Sequence, residues 1–410
     1  MSQPTTTVST AFDSPSATHP KLLIGVYHSV FVALGLIMMA LGVTLTELMK
    51  RTDATPGEIS YSFMARSLGF IAGSILCGRI YDRVRNGHAV LAGALAVMAL
   101  LSGFVPTMSV LWVLIGLFLV QGLAGSLINV GGNTMLMWSH REGNIGALLT
   151  GLHFSWGLGS ALAPLIVEQM EALTGNINWA YWVLSLSVVP ACVGLLRLPS
   201  PPHPQASNDD TTAQVNLRLA LLVGTFFFFY TGLEATLIGW IHTYTMQTGL
   251  GDKSAAYKLN AVFLLVFTFG RLIAIPIAAR FRPRTILLTD FCGCFLSAAA
   301  ILIWPSSVTV LWIAACTMGL SMASVFPTML AFAERRMHLS GKLTGYLFSA
   351  SSGGSMLLPF LVGQYFISVG PQILFYVIVV SLSIDVAIFT AMMLLYPSAT
   401  KPKTGAVRGA

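Results

Sequence analysis

Glu234 sits in the middle of an apolar run, TFFFFYTGLEATLIGW, where no water is at hand to solvate a carboxylate. A charge at that depth must be paired, neutralised by a proton or balanced by a cation, so Glu234 is a candidate for ion coupling. Tyr230 precedes it by one helical turn, His242 follows two turns on, and Thr236, Trp240 and Tyr244 occupy an adjacent stripe. Two arginines in other apolar runs, Arg66 and Arg271, are its possible charge partners, and a fixed structural pair with either is the competing reading.

A second group is neutral and polar. His153, Trp156 and Ser160 recur at helical spacing on one face, where an indole stacks on the apolar face of a sugar ring and an imidazole bonds hydroxyls. Gln121, Asn129 and Asn133 fall at multiples of four residues, a stripe that cannot face hydrocarbon without leaving amide groups unpaired. Amides offer donor and acceptor together, which suits hydroxylated solutes, and they serve equally well as bonds between helices. Trp240 and Tyr244 join these as candidate substrate contacts. Asp290 and Asp385 read as structural, Glu47 as a solvated acid near one surface, and Ser321, Ser324 and Pro327 as the makings of a helix that bends.

The elements that must position these residues are membrane helices. The chain has 410 residues, 55% hydrophobic and only 9% charged, with mean hydropathy +0.78, against about a quarter charged in ordinary soluble domains. Apolar runs of about 20 residues predict twelve spans: 22–46, 58–81, 88–106, 110–137, 144–169, 178–197, 218–246, 255–280, 285–304, 308–333, 342–369 and 372–396. The fold class expected is an all-α membrane protein of two pseudo-symmetric six-helix bundles, 21–197 and 217–397. A polar linker at 198–216 joins them. Residues 1–20, without a basic region ahead of an apolar one, and 398–410 are expected to be cytoplasmic tails, the first disordered. The duplication is visible directly, because GALLTGLHFSWGLGSALAPLIVEQ from Gly146 returns 195 positions later as GKLTGYLFSASSGGSMLLPFLVGQ, with nine identities including Gly159/Gly354 and Pro164/Pro359.

Basic residues choose the orientation. With both termini inside, 16 Lys and Arg fall on that side and four on the other, which places the termini in the cytoplasm and explains the net charge of +7 without nucleic acid. The five cysteines all lie within predicted spans, so neither a disulfide framework nor a zinc site is indicated.

Gly78, Asp82 and Arg83, between the second and third spans, resemble the loop signature of the major facilitator superfamily. The matching position after the eighth span holds Pro283, so one half alone carries the acid. Four segments point to a branch: Leu41–Lys50 with Ile59–Arg83, GGNTMLMW from Gly131, LHFSWGLGSALAPLI from Leu152 and YTGLEATLIGWIHTY from Tyr230. They resemble the sodium-dependent glucose transporter-like members and, more loosely, the fucose and glucose/galactose permeases. The resemblance implies that spans one, four, seven and ten line a central cavity; Gly78, Asp82 and Arg83, and from their depth Arg66 and Arg271, are expected in gating or structural roles.

No nucleotide-binding loop, metal-ligand cluster or catalytic constellation is present in the sequence, so an enzyme is not expected and active transport must draw on an ion gradient. The function expected is ion-coupled uptake of a hexose-like solute by H⁺ or Na⁺ symport in the cytoplasmic (inner or plasma) membrane. No cofactor is expected beyond the coupling ion, and the expected partners are the solute and the bilayer, for a monomer. Proton-coupled export of drugs, siderophores or other amphipathic compounds is the alternative, and a receptor without transport is a third, weaker reading.

Overall fold

A computed structural model describes residues 20–84, 86–139, 145–201, 216–337 and 341–396. Among them are fifteen α-helices and one short 3₁₀ turn, with no strand. The first half contains α1 (Pro20–Thr52), α2 (Pro56–Ile59), α3 (Tyr61–Arg83), α4 (Gly87–Phe104), α5 (Leu111–Ser139), α6 (Ile145–Thr174), α7 (Asn178–Leu186) and α8 (Val189–Arg197). The second contains α9 (Leu217–Gln247), α10 (Lys253–Arg280), α11 (Pro283–Ile303), α12 (Val308–Met322), α13 (Val325–Glu334), α14 (Gly341–Val369) and α15 (Ile373–Leu395). The pairs α2/α3, α7/α8 and α12/α13 are single passes interrupted by one or two residues, so the fifteen helices make the twelve predicted passes.

Eleven of these passes are long and apolar enough to cross a membrane by length and composition. The twelfth, α6, is 30 residues long, and its His153, Ser155, Gly157, Gly159 and Ser160 dilute its hydropathy. Polar residues at the membrane boundary start the helices: Asn216 accepts from the Leu219 amide at 3.2 Å, Asp252 from Ala255 at 2.7 Å and Ser307 from Val310 at 3.3 Å, each occupying an amide with no partner inside its helix.

The duplicated segment builds the same crossing twice. Gly159 of α6 lies against the Val32 carbonyl of α1, and its counterpart Gly354 of α14 lies against the Phe228 carbonyl of α9. In both places the absence of a side chain lets two backbones touch, the usual route to tight association where lipid tails remove any hydrophobic drive between helices.

The face where α1 begins and α15 ends is called here the terminal face, and the opposite one the far face. The halves meet chiefly on the far side. Gly42 of α1 packs on Gly239 of α9, Tyr61 of α3 meets Phe360 of α14 edge-on at 5.0 Å, and Gln364 Nε2 donates to the Gly57 carbonyl at 2.8 Å. Contact between α6 and α10 runs deeper, to Gly157 against Thr268 and Phe154 against Phe269. Toward the terminal face, Ile75 of α3 and Tyr346 of α14 stand uncovered, 62% and 64% exposed. With the contacts between the halves running from the far face to mid-depth, the seam opens toward the terminal face. Residues 1–19 and 398–410 of the predicted tails, linker residues 202–215, the surroundings of Gly78 and the side chain of Asp82 lie outside the described residues, while Arg83 is exposed at the end of α3.

Candidate functional site

At mid-depth the seam joins three charged or ionisable groups. Glu234 of α9 pairs with Arg271 of α10, its Oε1 standing 3.8 Å from Nη2, a Coulombic contact beyond hydrogen-bond length. The Arg271 guanidinium lies over the Phe267 ring, 4.4 Å from the centroid, and its buried Nε has no hydrogen-bond partner. Across the seam, within electrostatic reach of Arg271, is His153 of α6, exposed at this depth. A loose ion pair beside an unfilled donor is poised to accept a ligand, since a polar group entering the gap makes bonds that the protein leaves open.

The first half supplies a wall behind His153. The Phe31 ring of α1 meets His153 edge-on at 6.2 Å and backs onto Gly132 of α5, next to Asn133. Asn133 Nδ2 donates to the Asn129 carbonyl at 2.8 Å, and the Asn133 Oδ1 has no partner. Trp156 is half-buried one turn beyond His153, and Ser160 donates to its carbonyl at 2.8 Å. His28 of α1, which the sequence did not mark, bonds Ser155 at 2.7 Å and holds α1 to α6 beneath this wall.

Three expected substrate contacts face elsewhere in this conformation. Gln121 is 2% exposed and its amide donates to Ser102 of α4 at 2.8 Å, so it joins two helices of one bundle. Trp240 is sealed, its indole donating to the Pro359 carbonyl at 3.0 Å while its ring stacks on Phe366 and leans on Phe63 of the other half. Tyr244 is equally buried, edge-on to Phe375 at 5.0 Å. In each case helix rotation sets the face, and a four-residue spacing that drifts by 40° per step spreads its members over several neighbours. Arg66 is the charge partner that Glu234 does not use: its Nη1 donates to the Met38 carbonyl of α1 at 2.7 Å.

Glu47, expected to be a solvated acid near one surface, belongs instead to a bolt across the far face. Lys253 of α10 reaches Glu47 of α1 at 2.7 Å and also Glu171 of α6, whose other oxygen accepts from the Tyr257 hydroxyl at 2.9 Å. Beside them Lys258 lies 3.3 Å from Glu168, which accepts from Ser254 at 2.5 Å. Acids closing the first and sixth helices opposite lysines opening the tenth were the available signal.

Two six-pass bundles, bolted on one face and parted on the other around buried polar groups, have the architecture of a multi-pass membrane transporter. The chain belongs to the Major Facilitator Superfamily, whose pattern matches residues 28–359. Its sequence is 28% identical over 378 residues to sodium-dependent glucose transporter 1 of Homo sapiens, covering 81% of this chain and 71% of that one. It is 24% identical over 428 residues to major facilitator superfamily domain-containing protein 4A of Danio rerio, covering 82% and 81%. The fold is shared with the nucleoside transporter NupG, at TM-score 0.68 and 13% identity over 90% of this chain and 98% of that one. It is shared as well with a bacterial homologue of the human lysosomal transporter Spinster in an inward-facing, unoccupied conformation, at TM-score 0.69 and 11% identity over 92% and 97%.

Proposed function

We propose that this chain is an ion-coupled symporter of a small polar, hexose-like solute in the cytoplasmic membrane, with both termini in the cytoplasm and the seam facing inward. The observation that carries the reading is the Glu234–Arg271 pair at 3.8 Å, partly buried in the seam opposite His153. A solute hydroxyl between these groups meets an acceptor, a donor and an imidazole, while the half-buried Asn129 and Asn133 lie on the adjoining wall. Coupling follows from the carboxylate: a proton or cation that neutralises Glu234 frees Arg271 for the solute, so the two cargoes favour one another. The distribution of basic residues supports the orientation, and the sodium-dependent glucose transporters among the relatives support the cargo class.

Uptake of D-glucose into proteoliposomes under imposed Na⁺ or pH gradients tests the proposal. Accumulation driven by one gradient is expected; equal uptake with and without either gradient removes ion coupling. An open apolar groove of about 520 Å³ between α9 and α14, lined by Leu221, Phe228, Phe229, Tyr346 and Leu347, favours amphipathic cargo as the second reading. Resistance of expressing cells to hydrophobic toxins, with D-glucose uptake unchanged, decides for that one.

A further inference from the structure

The Glu234 site leaves two buried acids of the second half unused, Asp385 of α15 and Asp290 of α11, and oxygen-bearing groups gather around the second. Asp290 of α11 is 9% exposed, and its carboxylate accepts from the Ser324 hydroxyl at 2.5 Å. Among the described residues no lysine, arginine or histidine pairs with it. A buried carboxylate without a basic partner is either neutralised by a proton or balanced by a cation.

Its surroundings are rich in oxygen. Ser324 lies in the two-residue break between α12 and α13. Pro327 has no amide hydrogen to give the carbonyl four residues before it, so the carbonyl of Ala323, itself buried, loses its helical partner. Ser321 sets a second hydroxyl against α11 at Gly293, one turn from Asp290, so close that a Cβ on Gly293 would stand 2.1 Å from that oxygen. From the other side the Tyr230 hydroxyl donates to the Met322 carbonyl at 2.5 Å, one turn of α9 from Glu234.

We infer that α11 and the α12/α13 break form a binding site for a small monovalent cation of the Na⁺ class, with the Asp290 carboxylate, the Ser324 and Ser321 hydroxyls and the Ala323 carbonyl as its ligands. A hard cation takes oxygen ligands, and interrupted membrane helices supply them from side chains and unwound carbonyls. One carboxylate balances one positive charge, whereas a divalent ion would leave an uncompensated charge inside the bundle. Occupancy would spread the Asp290–Ser324 contact around the ion and set the angle between α12 and α13, and Tyr230 connects that break to the helix carrying Glu234. The inference deepens the symport reading and rests on it for its role in transport; cation binding itself is independent of cargo.

Thermal unfolding of the detergent-solubilised full-length chain in NaCl, KCl and choline chloride at fixed ionic strength tests the site. A saturable rise in Tm specific to Na⁺ is expected, because a ligand of the folded state stabilises it by mass action. Asp290→Asn should keep the Tm seen in choline and lose the Na⁺ increment, and Ser324→Ala should raise the half-saturating Na⁺ concentration by about tenfold. If Asp290→Asn does not fold, Ser324→Ala decides. No Na⁺-specific increment in the parent chain, or an increment untouched by these variants, overturns the site. Gradient-driven D-glucose uptake that survives Asp290→Asn overturns the role of the site in coupling while leaving symport standing. A Na⁺ increment that needs Asp290 in a chain that accumulates no solute leaves the site standing and removes symport.

Discussion

Lys253 Nζ of the second half lies 2.7 Å from Glu47 Oε1 of the first, and the same ammonium also reaches Glu171. One cation thus ties α1 and α6 to α10 at the far face. Neither residue is fully exposed, so the pairs are screened less than ordinary surface ion pairs, and removing the shared cation leaves two carboxylates facing each other. Lys253→Ala should therefore unbolt that face. A cysteine placed at Thr46, which is buried beside Thr243 in the seam, in a background freed of native cysteines, should react with an impermeant maleimide about tenfold faster after the change, equivalent to about 1.4 kcal/mol. An unchanged labelling rate would assign the closed far face to the apolar contacts alone.

Glu234→Gln removes the charge but keeps the shape, leaving Arg271 partly buried with no carboxylate. The loss should appear in coupling: gradient-driven accumulation of D-glucose should fall by about tenfold or more, while exchange of labelled for unlabelled D-glucose at equal concentrations continues. Because both groups are partly exposed, the stability cost should stay within about 1–3 kcal/mol. Full accumulation by the variant would return Glu234 to a structural pair.

Much of the fold was legible before any coordinates. Hydrophobic run length specified the passes, and the repeat at Gly146 and Gly341 specified the doubling; Ser321, Ser324 and Pro327 marked a bend, and a break falls between Met322 and Val325. The site was harder to read. Arg66 and Arg271 are alike on paper as partners for Glu234, and only helix rotation separates one that bonds the Met38 carbonyl from one that faces the acid. The bolt at Glu47 was not legible because the second of its lysine partners lies 206 residues away on another bundle. The amide stripe divided for the same reason: Gln121 turns to α4, whereas Asn133 keeps an unfilled acceptor.

That division gives a paired test. His153→Ala and Asn133→Ala each remove polar groups beside the seam, and each should raise the half-saturating concentration for D-glucose by about tenfold, the worth of one hydrogen bond of about 1.5 kcal/mol. Gln121→Ala should leave that concentration alone and instead lower Tm, since it deletes the bond to Ser102 and strands a buried hydroxyl at about 1 kcal/mol. Equal effects of all three on half-saturation would mean that the stripe acts through packing.

The repeat itself makes the last prediction. A Cβ on Gly159 would stand 2.1 Å from the Val32 carbonyl oxygen, and one on Gly354 would stand 1.7 Å from the Phe228 carbonyl oxygen. Both obstacles are backbone, so no rotamer change relieves them and the helix pair must separate. Alanine at either position should cost about 1–3 kcal/mol and lower Tm by several degrees. The two crossings are in different halves with no shared partner, so the double variant should lose close to the sum. Gly93 of α4 has open space where a Cβ would go, and Gly93→Ala should be neutral or slightly stabilising, by up to about 1 kcal/mol, through helix propensity alone. Thermal unfolding of the three single variants separates the cases: if Gly159→Ala and Gly354→Ala melt with Gly93→Ala, the matched glycines are not what holds each half together.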